Sequence, residues 1–103
     1  MSGDRSKRTA QCRAHTTEAQ NSYATGLSLC RIDGDYNTAA KYFSKAIALK
    51  NDRAVYFAAR ASCYAKLGRG EESYHDYVTA IRLNPVKASY RASRGSALVQ
   101  LGR

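Results

Sequence analysis

Gly34, Gly68 and Gly102 stand 34 residues apart, and their surroundings repeat with them. Ala46-Ile47 returns as Ala80-Ile81, Leu49 as Leu83, Phe43 as Tyr77 and Arg60 as Arg94. The ending Leu67-Gly68-Arg69 recurs as Leu101-Gly102-Arg103. A self-match at this period marks an array of helical hairpins, because one hairpin cannot bury its apolar face without a neighbour. Such arrays bind other molecules and rarely catalyse, so the repeat narrows the class of function before any motif is read.

The 103 residues suffice for one small domain near the size where a single core is only just enough. No apolar run is long enough for a membrane span, and the N-terminus lacks the apolar core of a secretory signal. Cys12, Cys30 and Cys63 are an odd set without CxxC spacing, which argues against a zinc site or a disulfide framework and for reduced thiols in the cytoplasm. The net charge of +9 is uneven. Residues 1–15 carry four basic side chains and one acidic, and residues 82–103 carry five basic and none acidic. A positive field at both ends favours an acidic partner.

The first fifteen residues are polar and lack helical apolar spacing, so they read as a flexible basic tail (1–15) before a repeat domain (16–103). Thr17 and Gln20 fit a capping box that opens a helix over Glu18–Ile32. Gly34 suits the positive φ of a helix C-cap. Further helices are expected over Tyr36–Lys50, Arg53–Leu67 (capped by Asn51-Asp52), Glu71–Leu83 and Lys87–Leu101. No strand pattern occurs.

These residues resemble the tetratricopeptide repeat family over about Thr17 to Arg103. The first unit shows Tyr23, Gly26, Gly34-Asp35-Tyr36, Ala39, Phe43, Ala46 and Leu49. The second shows Phe57, Ala61, Tyr64, Gly68, Ser73, Tyr77, Ala80, Leu83 and Pro85. The third stops after its first helix, at Arg94-Gly95, Leu98 and Leu101-Gly102. The resemblance implies an all-α fold of antiparallel helix-turn-helix units stacked in a right-handed superhelix, about two and a half units and five helices. Three departures stand out. Gly26 lies eight residues before Gly34 where the family places seven, which implies an extra residue or a local bulge in the first helix. Gly70 replaces an aromatic after the inter-helix turn, and Asn51 stands where Pro85 closes the second unit.

In this family the first helix of each unit lines a concave groove that receives peptides or helices. Co-chaperone members grip acidic C-terminal tails of heat-shock chaperones there with lysines, asparagines and an arginine, since carboxylates need several converging donors. The matching positions here hold Ala24 and Ser28 (or Tyr23 and Leu27 in the Gly26 register), then Ala59, then Ser89 and Ser93, none of the required type. The groove residues expected are small: Thr25, Ser28, Ala58 and Ala59, with Ser62, Ala92, Ser93 and Ser96. Lys87, Arg91 and Arg94 form a basic stripe on the fifth helix. Leu98, Val99 and Leu101 form an exposed apolar edge where a following helix would lie, which self-association or a neighbouring subunit would cover.

No catalytic set emerges. His15 falls in the tail, His75 is a lone histidine, Asp33 and Asp35 flank a turn, and Gly68-Arg69-Gly70 is too short for a phosphate cradle. No metal or cofactor is expected. The expected function is a non-enzymatic module that binds a protein partner, as peptide or helix, in the groove. A co-chaperone adaptor for acidic tails is the second reading, and a subunit of a large assembly touching RNA or a filament through its basic ends is the third. Direct nucleic-acid binding ranks below a protein partner, because no base-stacking aromatic array accompanies the stripe.

Overall fold

The computed structural model describes the backbone of residues 2–102 and the side chains of residues 15–102. Five helices follow one another: α1 Ser2–Ser28, α2 Tyr36–Leu49, α3 Ala54–Lys66, α4 Gly70–Leu83 and α5 Ala88–Gln100. A π-helical turn, Leu29–Asp33, extends α1. Among the described residues there is no strand, and each helix packs on its neighbours in sequence. The all-α repeat fold expected from the 34-residue period is the fold observed.

The first helix departs from its expected course. Its backbone is helical from Ser2, so no helix begins at Thr17. Arg5, Lys7, Arg8, Ala10, Gln11, Arg13 and Ala14 are good helix formers, so helix propensity favours this course without an apolar stripe in the sequence. Of the expected tail, the side chains of residues 1–14 lie outside the described residues.

The turns follow from glycine. Gly34, Gly68 and Gly102 have φ of 63°, 77° and 76°, a region that other residues rarely adopt. At the end of α3, Arg69 N–H donates to Tyr64 O at 2.8 Å and Gly68 N–H to Ala65 O at 3.2 Å, the paired closure that satisfies the last carbonyls of a helix. At the end of the π turn the corresponding bond runs from Asp35 N–H to Leu29 O at 3.1 Å, and spans one residue more. The extra residue implied by the Gly26–Gly34 spacing is therefore absorbed within Leu29–Asp33. Asp35 then caps α2, its Oδ1 accepting from Thr38 N–H at 3.2 Å. That bond holds its carboxyl below the usual aspartate value. At α3 the N-cap is Arg53 with no side-chain cap, and Asp52 instead lies 3.9 Å from Lys50 Nζ.

Small residues let the helices approach and aromatics fill the space left. Ala39, Ala40, Phe43 and Cys63 form one buried cluster, with Tyr23 and Leu27 packed against it. Ala19, Ala46 and Tyr56 form a second, and Ala61, Tyr77 and Ala97 a third. Tyr56, not the motif aromatic Phe57, is the buried aromatic of α3. Gly26 is required where it stands, because a Cβ there would lie 2.6 Å from Phe43 Cε1. At Gly70 the missing aromatic is replaced from the far end of the chain, with Leu101 Cδ2 3.0 Å from where a Cβ would be.

Arg60 explains one of the repeated positions. From α3 it reaches Asp76 on α4 with two bonds, Nε to Oδ2 at 2.7 Å and Nη2 to Oδ1 at 2.8 Å. Its Nη1 donates to Ser44 Oγ on α2 at 3.1 Å, so one guanidinium ties three helices. Arg94 holds the same place on α5, after which no helix follows among the described residues.

Candidate functional site

The first helices of the units, α1, α3 and α5, leave a concave cavity of about 360 Å³. Its floor is apolar and aromatic: Tyr23, Leu27, Phe43, Val55, Tyr77 and Tyr90. Two cations line it, Arg31 from the π turn and Lys87 at the N-cap of α5, and no aspartate or glutamate does. Lys87 Nζ lies 5.1 Å from the centre of the Tyr90 ring, so an aromatic face steadies the ammonium without neutralising it. Arg31 acts on Tyr23 by its charge, opposing the burial that raises the Tyr23 pKa.

The extra residue decides which helix-one residues reach the cavity. Tyr23 and Leu27 line it, whereas Ala24 and Ser28 are exposed and do not. The register that counts from Gly26 is thus the one that describes the groove. Ala59, Ser89 and Ser93 line it as well, so the five places where relatives of the co-chaperone type hold donors all face this cavity and hold none of those side chains.

Of the small residues expected in the groove, Ala58, Ala59, Ser62 and Ser93 line the cavity. Ser62 and Ser93 lower the Tyr77 pKa through the phenol oxygen, against the larger effect of burial, which raises it. Thr25, Ser28 and Ala92 are exposed outside the cavity, and Thr25 Oγ1 donates to Asn21 O at 2.9 Å. Ser96 lines a smaller cleft of about 100 Å³ between α4 and α5, beside Ser73, whose buried hydroxyl has no protein partner.

The expected basic stripe is divided among different surroundings. Lys87 enters the groove, Arg91 donates from Nη2 to Pro85 O, and Arg94 is half-buried. On the expected edge Val99 is 74% exposed, while Leu98 and Leu101 are half-buried. His75 is exposed, and the adjacent Asp76 is engaged by Arg60. Among the described residues no three histidine, cysteine or acidic side chains cluster as a metal site would need, and no helix is long and apolar enough to cross a membrane.

The sequence reading missed Arg31, Lys87 as a groove residue, and the Cys30–Cys63 contact. The eight-residue Gly26–Gly34 spacing was the signal available for Arg31 and Cys30, since an inserted residue there turns new side chains toward the groove.

No family model matches the chain. The second TPR of Spaghetti (RPAP3), solved with HSP90 peptide SRMEEVD, superposes with a TM-score of 0.83 at 29% identity, covering 91% of this chain and 84% of that one. The second TPR domain of human RPAP3, solved with HSP70 peptide SGPTIEEVD, gives 0.77 at 26% identity, covering 88% and 72%. A small glutamine-rich tetratricopeptide repeat-containing protein of Dictyostelium discoideum is 40% identical over 53 residues. That match covers 52% of this chain and only 16% of the relative's length. Together with the repeat register and the helix order, these likenesses show that the chain has the helical-repeat fold of tetratricopeptide-repeat domains and is similar to them in sequence.

Proposed function

We propose that the groove binds an acidic peptide segment of a protein partner, in the cytoplasm. Arg31 and Lys87 take its side-chain carboxylates, and Tyr23, Val55 and Tyr90 pack its apolar side chains. The observation that carries this reading is a cavity with an aromatic floor, two cations and no acidic residue. Two structural relatives were solved with acidic chaperone peptides, which supports a ligand of this charge. Against a five-point grip on a terminal carboxylate stand Tyr23, Leu27, Ala59, Ser89 and Ser93, which supply no cation or amide at those places.

The test is a titration of labelled SRMEEVD by fluorescence anisotropy, beside its C-terminal amide and a version with amides for its acidic side chains. Charge-assisted hydrogen bonds contribute about 1.5–3 kcal/mol, so Arg31→Ala and Lys87→Ala should each weaken binding about tenfold or more. The amide should bind nearly as well as the free acid, and the side-chain-neutralised peptide should not. Loss of binding on amidation alone would favour the co-chaperone grip instead. Absence of binding at about 1 mM would overturn the acidic-peptide reading.

A further inference from the structure

Cys30 and Cys63 come from different units, 33 residues apart, yet their sulfurs lie 3.4 Å from each other. Both are free thiols, and both line the groove cavity, from which a small oxidant can reach the half-buried Cys30. Their surroundings differ. Cys63 is 1% exposed in the cluster of Ala39, Ala40 and Phe43. Cys30 is half-buried on the π turn, a segment with no buried residue and with Ile32 80% exposed beside it. The single-residue insertion both aims Cys30 at Cys63 and gives it a backbone that can yield. Closing the sulfur separation to the bond length of about 2 Å needs a shift of little more than an ångström, which the π turn can supply.

From this geometry we propose that Cys30 and Cys63 are a redox-closed staple between the first and second repeat units, oxidised by a hydroperoxide. The Cys30 thiolate attacks the terminal oxygen of the hydroperoxide. The O–O bond breaks, an alcohol (or water, from hydrogen peroxide) leaves with a proton, and Cys30 becomes a sulfenic acid. The Cys63 sulfur then attacks the Cys30 sulfur. The S–O bond breaks, the Cys63 proton leaves with the hydroxide as water, and the disulfide forms. Two thiols have lost two electrons to the peroxide bond. Burial, aided by the Cys30 contact, pushes the Cys63 thiol up to about 12, which keeps it protonated until Cys30 has reacted. The order of the two steps follows.

The experiment uses the full chain carrying Cys12→Ser, treated with one equivalent of hydrogen peroxide. The expected product is a monomer lighter by two hydrogens, with a cross-linked peptide containing Cys30 and Cys63. Closing a loop of this length should raise Tm by about 10 °C or more, reversed by dithiothreitol. A mass that gains oxygen without losing hydrogen, or a disulfide-linked dimer, would overturn the proposal. With Cys30→Ser added, Cys63 should stay unmodified and be alkylated only after unfolding. Oxidation of Cys63 at the parent rate in that variant would refute the assigned order.

Discussion

Gly26→Ala and Gly95→Ala are the same substitution at the same repeat position, and they should have opposite effects. Gly26 is buried against Phe43, where a new Cβ would meet Cε1 at 2.6 Å and Cδ1 and Cζ at 2.9 Å. Phe43 is 1% exposed among Ala39, Ala40 and Cys63, so its ring has little room to retreat. Overpacking of this kind costs about 1–3 kcal/mol, against which the better helix propensity of alanine returns about 0.5–1. Three ring atoms within 2.9 Å put the cost in the upper half of that range, so the net loss is about 1–2.5 kcal/mol, a fall in Tm of roughly 5–20 °C for a domain of this size. Among the described residues, Gly95 has nothing within 4 Å of its added Cβ. Only the propensity gain of about 0.5–1 kcal/mol remains, so Gly95→Ala should raise Tm by a few degrees. Calorimetry or urea unfolding measures both. Phe43→Leu supplies the cycle: Gly26→Ala should cost less in its background, with a coupling of about 0.5–3 kcal/mol. A Gly26→Ala chain as stable as the parent would refute the close-approach argument.

Asp76→Ala leaves the half-buried Arg60 guanidinium without its carboxylate and should cost about 2–4 kcal/mol in urea unfolding, whereas Glu72→Gln, which loses only the exposed pair with Arg69, should change stability by less than about 0.5 kcal/mol. Cys63 is raised from 9.0 to about 12 in the folded chain, so its contribution is complete below pH 9 and is lost as pH climbs toward 12. Tyr23 and Tyr77, both raised from 10.0 mainly by burial, act in the same direction above pH 10, so the urea midpoint should fall steadily on the alkaline side and less steeply in Cys63→Ala. Deletion of Ile32, 80% exposed in the π turn, should restore a seven-residue glycine spacing and change stability by no more than about 1 kcal/mol; an unfolded product would show that the turn is not a tolerated insertion.

The helices α2 to α5 were legible to within one residue at either end, because the 34-residue period fixes their apolar faces, the glycines after α3 and α5, and the Asn51 and Asn84-Pro85 positions after α2 and α4. The bulge in the first unit was legible from the Gly26–Gly34 spacing. The start of α1 was not, since residues 2–16 carry no apolar periodicity from which a helix could be read. Nor was the choice of Tyr56 over Phe57: adjacent aromatics on one helix differ by 100° of rotation, and only the position of Tyr23, with its ring centre 5.1 Å away, decides between them. The groove was legible as a surface but not as a chemical site. Motif positions lie in the middle of helices, while Arg31 and Lys87 lie at helix ends, which a position-by-position comparison with the family does not examine.

That shift of charge follows from the inserted residue. Up to Leu29 the first unit keeps step with the second, Leu29 O accepting the closing bond that Tyr64 O accepts in α3. Tyr23 and Leu27 consequently occupy the groove places where donors to a ligand carboxylate would stand, and their bulk makes the centre of the groove apolar. The extra residue widens the final turn, and the side chains it carries to the groove are Cys30 and Arg31. Charge lost from the middle of the first helix is thus regained one turn later, at its end. Lys87 supplies the second cation from the start of α5, outside the helical body whose Ser89 and Ser93 face the cavity. A ligand that satisfies both cations must carry its carboxylates on side chains flanking an apolar residue, because a single terminal carboxylate at the centre would meet Leu27 and Ala59. The same turn brings Cys30 to the groove wall, so the insertion that carries Arg31 to the cavity also places Cys30 beside Cys63.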